Sequence, residues 1–425
     1  MKNKDYHTSG SHETRLISWP RGTGMVYLGM SPWDGMWKNR QQLMSRFARQ
    51  LPVLYVEPPL RLRRLRRQSP FSRSFYDGFR KARTRAVAPG MHVFQSPSYL
   101  PVSDSRWLST ATRARWLDAV RAAAQAVGIE SPILWLSLPE QHYTIGRFGE
   151  VLSIYHVVDE YSGYTSDNEE RRARMQRYEQ ILLDQVDLTI VVSPELHESK
   201  SAADREIHLV ENAVDIGLYR QAAHTVDVPD DIARIPAPRL GYSGLIGKRL
   251  DLDLLRRIAE SRRHWSIVLL GRLDERDCED ALRALRAQEN VHLLGEKSPA
   301  EVASYVAAFD VGLLPYTLNT ETIHISPLKL YEYLAAGLPI VGTAIPAAKR
   351  KAEFVRVAAD AGQFIDHCEQ AVGDVDESLA ARRINEAERN SWEHRVSQIV
   401  DLIRPRLDRG HGTDAGRGMP LMAGR

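Results

Sequence analysis

The sequence is poor in the residues that stabilise secreted and metal-dependent proteins. Its 425 residues include two cysteines, Cys278 and Cys368, which cannot build a disulfide framework and are not spaced as metal ligands. No cluster of His, Cys and Asp residues along the sequence predicts a metal site. We therefore expect a protein of the reducing cytoplasm that carries no resident metal or other cofactor.

Long apolar segments and a large net charge are missing as well. No uninterrupted apolar run approaches the ~20 residues that cross a bilayer, and residues 1–15 lack the apolar centre of a signal peptide. The net charge of +3 argues against nucleic-acid binding through bulk charge. A chain of 425 residues, 43% of them hydrophobic, exceeds one ordinary core, which predicts two domains with tails.

The small net charge hides one strongly basic segment, residues 61–85. It contains ten Lys and Arg residues against one acid, Asp77, and four aromatic residues lie among them. Cations interleaved with aromatic rings favour contact with an anionic membrane surface, here the inner face of the cytoplasmic membrane. A solvated basic loop or a loose nucleic-acid patch is the alternative interpretation of the same pattern.

Predicted strands and helices alternate along the chain, which is typical of α/β domains with parallel sheets. The alternation is interrupted once, where the sequence turns polar and rich in proline, and it ends in a Gly-rich tail. The pattern predicts a flexible tail at 1–21, a first α/β domain at 22–215, a linker at 216–238, a second α/β domain at 239–376, terminal helices at 377–405 and a disordered tail at 406–425.

Residues 325–343, ISPLKLYEYLAAGLPIVGT, predict a helix whose N-terminus faces an anion, followed by a buried strand. Ser326 can cap the helix and Pro327 can occupy its first position. Lys329 stands in the first turn, where the helix dipole disfavours a cation unless an anion binds there. Glu332 and Tyr333 share its face by three- and four-residue spacing. An ordinary surface pair of Lys329 and Glu332 is the alternative.

The segment PLKLYEYLAAGLPIV resembles the donor-binding signature of GT-B nucleotide-sugar glycosyltransferases, especially the bacterial family-4-like (group 1) enzymes that build surface polysaccharides. Further segments occur in the family's order: DLTIVVSPEL at 187–196, VENAVD at 210–215, GYSGLIGKRLDLDLL at 241–255 and NSWEHR at 390–395. The resemblance spans residues 24–400. It implies two Rossmann-like domains facing each other across a cleft, with the C-terminal helices returning to the first domain.

The resemblance also implies a donor site in the second domain. Glu332 takes the place of the glutamate that binds the ribose of the donor nucleotide. His324 stands where relatives have a second glutamate facing the transferred sugar, and Glu321 lies three residues upstream. Ser326, Pro327, Leu328 and Lys329 are expected at the diphosphate. Gly244 gives a flexible loop, and Lys248 and Arg249 after it can neutralise phosphate. The turn with Gly295 and Lys297 is expected at the nucleobase.

The acceptor side is predicted at two places in the first domain. The strand end around His156 and Asp159 concentrates groups capable of proton transfer, and Asp159 follows the strand directly. Asp159 would deprotonate an acceptor hydroxyl in an inverting mechanism, whereas in a retaining mechanism it would orient the acceptor; a turn cap is the structural alternative. Further candidates in the loop and helix start that line the acceptor cleft in relatives are Trp33, Asp34, Arg40 and Gln41.

The function implied by the resemblance is transfer of a sugar from a nucleoside-diphosphate sugar to a hydroxyl of a lipid-linked or polysaccharide acceptor. Its partners would be the nucleotide sugar, the glycan or lipid-linked acceptor and an anionic membrane surface, with no nucleic acid. Two alternatives stay open. One is a nucleotide-sugar epimerase on the same fold. The other is a nucleotide-binding scaffold that has lost catalysis, which the histidine at position 324 suggests.

Overall fold

The computed structural model describes residues 19–35, 37–59, 82–97, 106–161, 168–202, 205–224, 228–374 and 376–411. Most of the basic segment 61–85 lies outside these ranges, so the predicted membrane contact concerns residues that the structure does not describe, except for 82–85. Within the described residues, no helix is both long and apolar enough to cross a membrane.

The first domain is built around a sheet that is almost entirely parallel. Its elements in chain order are β1 Thr23–Leu28, α1 Asn39–Phe47, β2 Val53–Val56, β3 Arg83–Ala88, β4 Met91–Gln95, α2 Arg106–Ala126, β5 Ser131–Leu136, the short 3₁₀ helix Pro139–Thr144, β6 Leu152–Val157, α3 Glu169–Gln185, β7 Leu188–Val191, α4 Pro194–Lys200 and β8 Ile207–Leu209.

The strands of this sheet run in the order β3-β4-β2-β1-β5-β6-β7-β8. Only the pairing of β3 with β4 is antiparallel among the pairings described. Strands β1, β2, β6 and β7 are buried at every position. Strands buried at every position are expected in a sheet that is covered by helices on both faces. One core lies on each face of the sheet.

The second domain contains a smaller, fully parallel sheet. Its elements in chain order are α5 Ile216–His224, α6 Asp230–Ala233, β9 Arg239–Ser243, α7 Leu252–Ser261, β10 Ser266–Leu270, α8 Glu279–Arg286, β11 Val291–Gly295, α9 Pro299–Ala307, β12 Val311–Leu314, α10 Leu328–Ala335, β13 Ile340–Thr343, α11 Pro346–Arg350, β14 Val355–Ala358, α12 Ala361–Val372 and α13 Glu377–Arg389; α14 Trp392–His411 follows.

The strand order of the second sheet is β11-β10-β9-β12-β13-β14, with every described pairing parallel. The chain thus winds outward in one direction from β9 and then in the other direction from β12. Open parallel sheets bind ligands at this reversal, beyond the carboxyl ends of the central strands. The loops after β9 and β12 are therefore the expected edge of a site. The first sheet reverses between β1 and β5 in the same way.

Residues 216–238, which we expected to form a linker, contain helices α5 and α6. Tyr219 and Ala222 from α5 and Ile232 from α6 are buried in the core of the second domain. The proline-rich sequence suggests a linker, but its apolar residues pack against this domain. The chain crosses between the domains near Val214, which forms a parallel bridge with Ser391 on the return crossing.

The terminal helices divide between the two domains, which differs from the expectation that 377–405 packs as a whole on the first domain. In α13, the buried Arg383 donates a hydrogen bond to the carbonyl of Gly337 at the end of α10, in the second domain. Helix α14 returns to the first domain and contributes buried apolar residues to its core. It continues to His411, so residues 406–411 are helical rather than part of a disordered tail.

Candidate active site

Helix α10 projects its N-terminus toward the space between the domains. The helix begins at Leu328 with Pro327 as its N-cap and without a side-chain hydrogen bond at the cap. The expected cap by Ser326 is therefore wrong, because Ser326 lies one residue before the cap position. The helix ends just before Gly337, whose positive φ of 71° favours glycine.

Glu332 is held in the wall of the pocket by several neighbours. Lys329 Nζ lies 3.4 Å from Glu332 Oε1, and Ser243 Oγ donates to Glu332 Oε2 over 3.3 Å. Tyr219 lines the pocket beside this carboxylate, and burial followed by the charge of Glu332 raises the pKa of its hydroxyl. Both members of the Lys329–Glu332 pair are largely enclosed, with side-chain exposures of 15% and 17%. The pair is thus no ordinary exposed surface pair.

Tyr333 does not share the open face of the helix, contrary to the expectation from its spacing. It is fully buried, and its hydroxyl accepts a hydrogen bond from the backbone N–H of Ser243 over 3.1 Å. This contact joins α10 to the end of β9. Tyr333 therefore supports the floor of the site from the core, together with Leu330 and Leu334, which are also buried.

Two glycines bring the loops after β9 and β10 into direct contact. A Cβ on Gly271 would lie 1.8 Å from the carbonyl oxygen of Gly244, and its φ is 142°. Gly244 has a φ of 149°, and a Cβ there would lie 3.0 Å from Cε of Lys329. Only glycine fits either position without displacing its neighbours. The backbone consequently forms a tight floor beside the N-terminus of α10.

The predicted phosphate-binding cations Lys248 and Arg249 are engaged with carboxylates. Lys248 Nζ lies 3.4 Å from Glu321 Oε1, and Arg249 Nε lies 3.5 Å from Glu321 Oε2. Arg249 Nη2 also reaches Asp159 Oδ1, 3.4 Å away in the first domain. Glu321 is 12% exposed, so it is the enclosed acid at this point of the cleft. These four residues form one ionic network across the domain boundary.

Asp159 and His156 lie in different surroundings despite their closeness in sequence. Burial raises the pKa of the Asp159 carboxyl above its ordinary value, although Arg249 and Lys38 lower it. His156 is buried inside β6 with its ring edge-on to Trp135, 5.6 Å between centroids. Burial lowers the pKa of His156 to about 4. The neutral, enclosed His156 belongs to the core of the first domain, whereas Asp159 faces the cleft.

His324 lies on the segment that leads into α10, with Nδ1 3.1 Å from the carbonyl oxygen of Thr320. The backbone of this segment is bound by the first domain. Ser193 Oγ donates to the carbonyl of His324, and Asn212 Nδ2 donates to the carbonyl of Ser326, each over 2.7 Å. The segment is therefore shared between the two domains.

The predicted acceptor-site residues mostly support their own loop. The backbone N–H of Trp33 donates to Glu57, its carbonyl accepts from Gln41, and its ring packs edge-on to Tyr55. Gln41 is fully buried and Arg40 is 5% exposed. These contacts identify Trp33 as a core anchor of the first domain rather than an open stacking platform.

Asp34, the fourth predicted acceptor residue, pairs with Arg85 at the protein surface. Lys38, which no motif in the sequence singles out, lies in the cleft within electrostatic reach of Asp159, Arg249 and Lys329. Although Lys38 stays accessible to solvent, desolvation lowers the pKa of its ammonium to about 8.

The turn proposed for the nucleobase borders the same pocket. Gly295 ends β11 with a φ of 71° and open space around its Cα. Lys297 Nζ lies 2.9 Å from Asp231 Oδ2 and 4.7 Å from the centre of the Tyr305 ring. The Lys297 side chain is thereby directed toward α6 and α9, and Glu296 and Lys297 line the pocket.

A pocket between the domains is lined by Lys329 and Glu332, the floor glycines Gly244 and Gly271, and the turn at Lys297. Its empty volume is about 720 Å³, including space open to solvent. Its lining residues are Trp37, Gln42, Ala213, Val214, Asp215, Leu218, Tyr219, Ser243, Gly244, Leu270, Gly271, Glu296, Lys297, Pro299, Val302, Leu328, Lys329, Glu332 and Trp392. Sequence reasoning missed Tyr219 and Trp392, because each lies in a segment that we had assigned to a linker or to a terminal helix.

The chemistry of this pocket suits a nucleotide. Lys329 and the free N–H groups of a helix N-terminus favour a phosphate, while the enclosed Glu332 carboxylate accepts hydrogen bonds from hydroxyl groups. Among the described residues, no group of three or more His, Cys, Asp or Glu side chains is arranged to hold a metal ion.

Comparison with known proteins identifies the domain that holds most of this pocket. Residues 238–374 match the family model described as glycosyl transferases group 1. The second domain is a group 1 glycosyl transferase domain. A putative teichuronic acid biosynthesis glycosyltransferase of Bacillus subtilis strain 168, TuaH, is 29% identical over 242 residues. These are 55% of this chain, and the match spans 60% of that relative's length.

Solved structures share the whole two-domain arrangement around the glycosyl transferase domain. Sucrose-phosphate synthase from Thermosynechococcus elongatus superposes with a TM-score of 0.67 at 15% identity, over 91% of this chain and 100% of that chain. Anabaena HepE in complex with UDP and glucose has a TM-score of 0.65 at 12% identity, covering 90% and 99%. WaaG, a glycosyltransferase involved in lipopolysaccharide biosynthesis, has a TM-score of 0.59 at 14% identity, with the same coverage. The fold is GT-B, as predicted.

Proposed function

We propose that the protein transfers a sugar from a nucleoside-diphosphate sugar to a hydroxyl of a glycan or lipid-linked acceptor. The observation that carries this proposal is the Lys329–Glu332 pair at the N-terminus of α10, beside the floor made by Gly244 and Gly271. A cation, free backbone N–H groups and an enclosed carboxylate are thus collected within one pocket of a group 1 glycosyl transferase domain.

The donor would bind with its diphosphate at the start of α10 and its ribose at Glu332. Lys329 and the N–H groups at Leu328 and beyond would stabilise the negative charge that grows on the leaving diphosphate. The ribose hydroxyls would donate to Glu332, whose carboxylate is already oriented by Ser243 and Lys329. The backbone at Gly295 would contact the nucleobase.

Lys248 and Arg249 would neutralise the same diphosphate after exchanging the Glu321 carboxylate for a phosphate. Glu321 now lies within 3.5 Å of both cations, so a phosphate would compete with this carboxylate. Charge neutralisation by side chains and a helix N-terminus would make a bound metal unnecessary. His324 would face the transferred sugar from the segment before α10.

The acceptor would enter from the first domain, where Asp159 faces the cleft. A carboxylate with a raised pKa is a stronger base, which suits removal of a proton from an acceptor hydroxyl. In a retaining mechanism, Asp159 would instead orient that hydroxyl through a hydrogen bond. Similarity to TuaH favours an acceptor of the cell-envelope polysaccharide class. An acceptor of this class and the basic segment 61–85 both favour a protein that acts at the cytoplasmic face of the membrane.

The first test is ligand-induced stabilisation with UDP, GDP, ADP, CMP and dTDP. A ligand at a hundred times its dissociation constant should raise the free energy of unfolding by about 2.7 kcal/mol. We expect one nucleotide to stabilise the wild type and to lose most of this effect in Glu332→Gln and Lys329→Ala. Glu289→Gln and Lys349→Ala are matched controls, because both residues are exposed.

Turnover then separates an enzyme from a scaffold. The corresponding nucleotide sugar should release its nucleoside diphosphate in the presence of an acceptor and do so equally after EDTA treatment. Nucleotide binding without any release would support the scaffold alternative, and interconversion of the sugar without an acceptor would support an epimerase. Failure of every nucleotide to bind would overturn the donor-site proposal itself.

A further inference from the structure

The N-terminus of α10 is fixed from the opposite domain. This helix has no side-chain cap of its own, although it carries Lys329 in its first turn. Segment 324–326 precedes the helix and does not cap it. Two backbone carbonyls of this segment instead accept hydrogen bonds from side chains of the first domain. Ser193 Oγ binds the carbonyl of His324, and Asn212 Nδ2 binds the carbonyl of Ser326, both at 2.7 Å.

Both donors are themselves firmly placed. Ser193 is fully buried and also accepts the backbone N–H of Leu196 over 3.2 Å, which caps α4. Asn212 is 8% exposed and directly precedes the crossing of the chain between the domains. Because both side chains are held in place by the first domain, the two hydrogen bonds fix the position of segment 324–326 relative to that domain.

Fixing these carbonyls orients the backbone that begins the helix. A peptide unit is planar, so holding the carbonyl oxygen of Ser326 sets the plane of the peptide that joins it to Pro327. Pro327 has a φ of −68° and a ψ of 121° and leads directly into Leu328. The direction of the first N–H groups of α10 therefore depends on the hydrogen bond from Asn212.

A third contact lies beside these two and crosses the same boundary. Arg350 of α11 pairs with Glu195, two residues after Ser193, and lies 3.9 Å from Glu211, the residue before Asn212. The two loop ends of the first domain that bind segment 324–326 thus also bind the second domain through charge. This pairing keeps the loop ends in register with the segment.

We propose that Ser193 and Asn212 are positioning residues that couple the phosphate-binding end of α10 to the orientation of the first domain. The inference rests on the proposed function, because it assumes that a diphosphate binds at that helix end. It assigns the first domain a part in donor binding that needs no direct contact with the donor. A rotation between the domains would then change the direction in which the first N–H groups of α10 point.

The test compares each nucleoside diphosphate with its parent nucleoside. Asn212→Asp keeps the size of the side chain but replaces the donating amide with an acceptor facing the Ser326 carbonyl. We expect it to weaken binding of UDP, GDP or ADP, whichever the wild type binds, by about tenfold. Binding of uridine, guanosine or adenosine should stay within about twofold, because the nucleoside does not use the helix end.

Ser193 needs a control for its second role. Ser193→Ala removes both the bond to His324 and the cap of α4, and it should weaken diphosphate binding. Ser193→Thr retains a hydroxyl and should bind the diphosphate as the wild type does. Asp360→Ala removes the cap of α12 without touching the domain boundary, because Asp360 accepts from the N–H of Gln363. It should lower the melting temperature without changing the ratio of diphosphate to nucleoside affinity.

The outcomes separate this inference from the proposed function. If the wild type binds no nucleoside diphosphate, the proposed function itself fails. If the wild type binds one and Asn212→Asp loses affinity for the nucleoside and the diphosphate equally, or loses neither, the coupling is overturned while the donor site stands. Selective loss of the diphosphate, with rescue by Ser193→Thr, supports the coupling.

Discussion

Arg249 of the second domain lies 3.4 Å from Asp159 of the first, so an ionic contact spans the cleft at the proposed reaction site. Arg249 also contacts Glu321 of its own domain, so one guanidinium lies between two carboxylates that come from different domains. Because the contact lies between the two domains, the protonation of Asp159 depends on how closely they approach.

The pH dependence of turnover should report this contact. Arg249 lowers the pKa of Asp159 while burial raises it, so Arg249→Gln should move the acidic limb of kcat/KM to higher pH. The profile is measured from pH 4 to 9 in steps of about half a unit, which resolves a shift of one pKa unit. Arg256→Gln is the control, because Arg256 pairs with Asp253 and Glu260 on α7, away from the cleft. An unchanged limb in Arg249→Gln would remove Asp159 from the proton transfer.

The buried His156 should make the protein less stable in acid. Its pKa falls from 6.5 to about 4 on folding, so the unfolded chain binds the proton more readily between these values. Stability is therefore retained above pH 6.5 and is lost as the pH falls toward 4, by up to about 3 kcal/mol.

Urea unfolding at pH 7.5 and 4.5 measures the contribution of His156. His156→Phe keeps an aromatic ring against Trp135 and should lose less stability between these pH values than the wild type. The other titrating groups are common to both proteins and cancel in this difference. An equal loss in both proteins would mean that His156 accepts a proton as readily in the folded state as in the unfolded chain.

Gly271→Ala should damage the floor of the pocket. Its Cβ would lie 1.8 Å from the carbonyl oxygen of Gly244, so one of the two loops must move. We expect a loss of at least about 3 kcal/mol in the free energy of unfolding. Gly128→Ala is the matched control, because Gly128 also has a positive φ but no neighbour within 4 Å. It should cost about 1 kcal/mol, and similar losses in the two variants would contradict the close packing.

Lys200 neutralises two glutamates inside the first domain. Its Nζ lies 2.6 Å from Glu160 and 2.8 Å from Glu179, and all three side chains are at most 11% exposed. Lys200→Met would leave both carboxylates without their cation and should cost about 3–5 kcal/mol. Adding Glu160→Gln and Glu179→Gln should recover part of this loss, which chemical denaturation measures. Lys349→Met, at an exposed position, should change stability by less than about 0.5 kcal/mol.

The sequence predicts the fold well because its main signals are local. Apolar strands alternating with helices, and the Gly337 stop after α10, can be recognised over a few residues. Glu332 and Lys329 could be selected for the same reason, since both stand on one predicted helix beside a recognisable motif. The geometry brings them together in the interdomain pocket.

The remaining features depend on partners far away in the chain. Tyr219 lines the pocket with Glu332 from a segment whose prolines suggest a linker. Ser326 fits the composition of a cap, yet its carbonyl is bound by Asn212, and no spacing within a helix reveals that contact. The burial of Trp33 and Gln41 likewise comes from tertiary packing, which turned expected acceptor contacts into supports of a loop.

Helix α14 gives the first domain a core that combines residues from before and after the second domain. Trp392, Val396 and Ile403 pack with residues of β1 and α1, although the whole second domain separates them in sequence. During synthesis on the ribosome, the first domain is translated long before this helix, so its core stays incomplete until the whole second domain and α14 have been translated. Deleting residues 392–411 should therefore impair the domain that is made first.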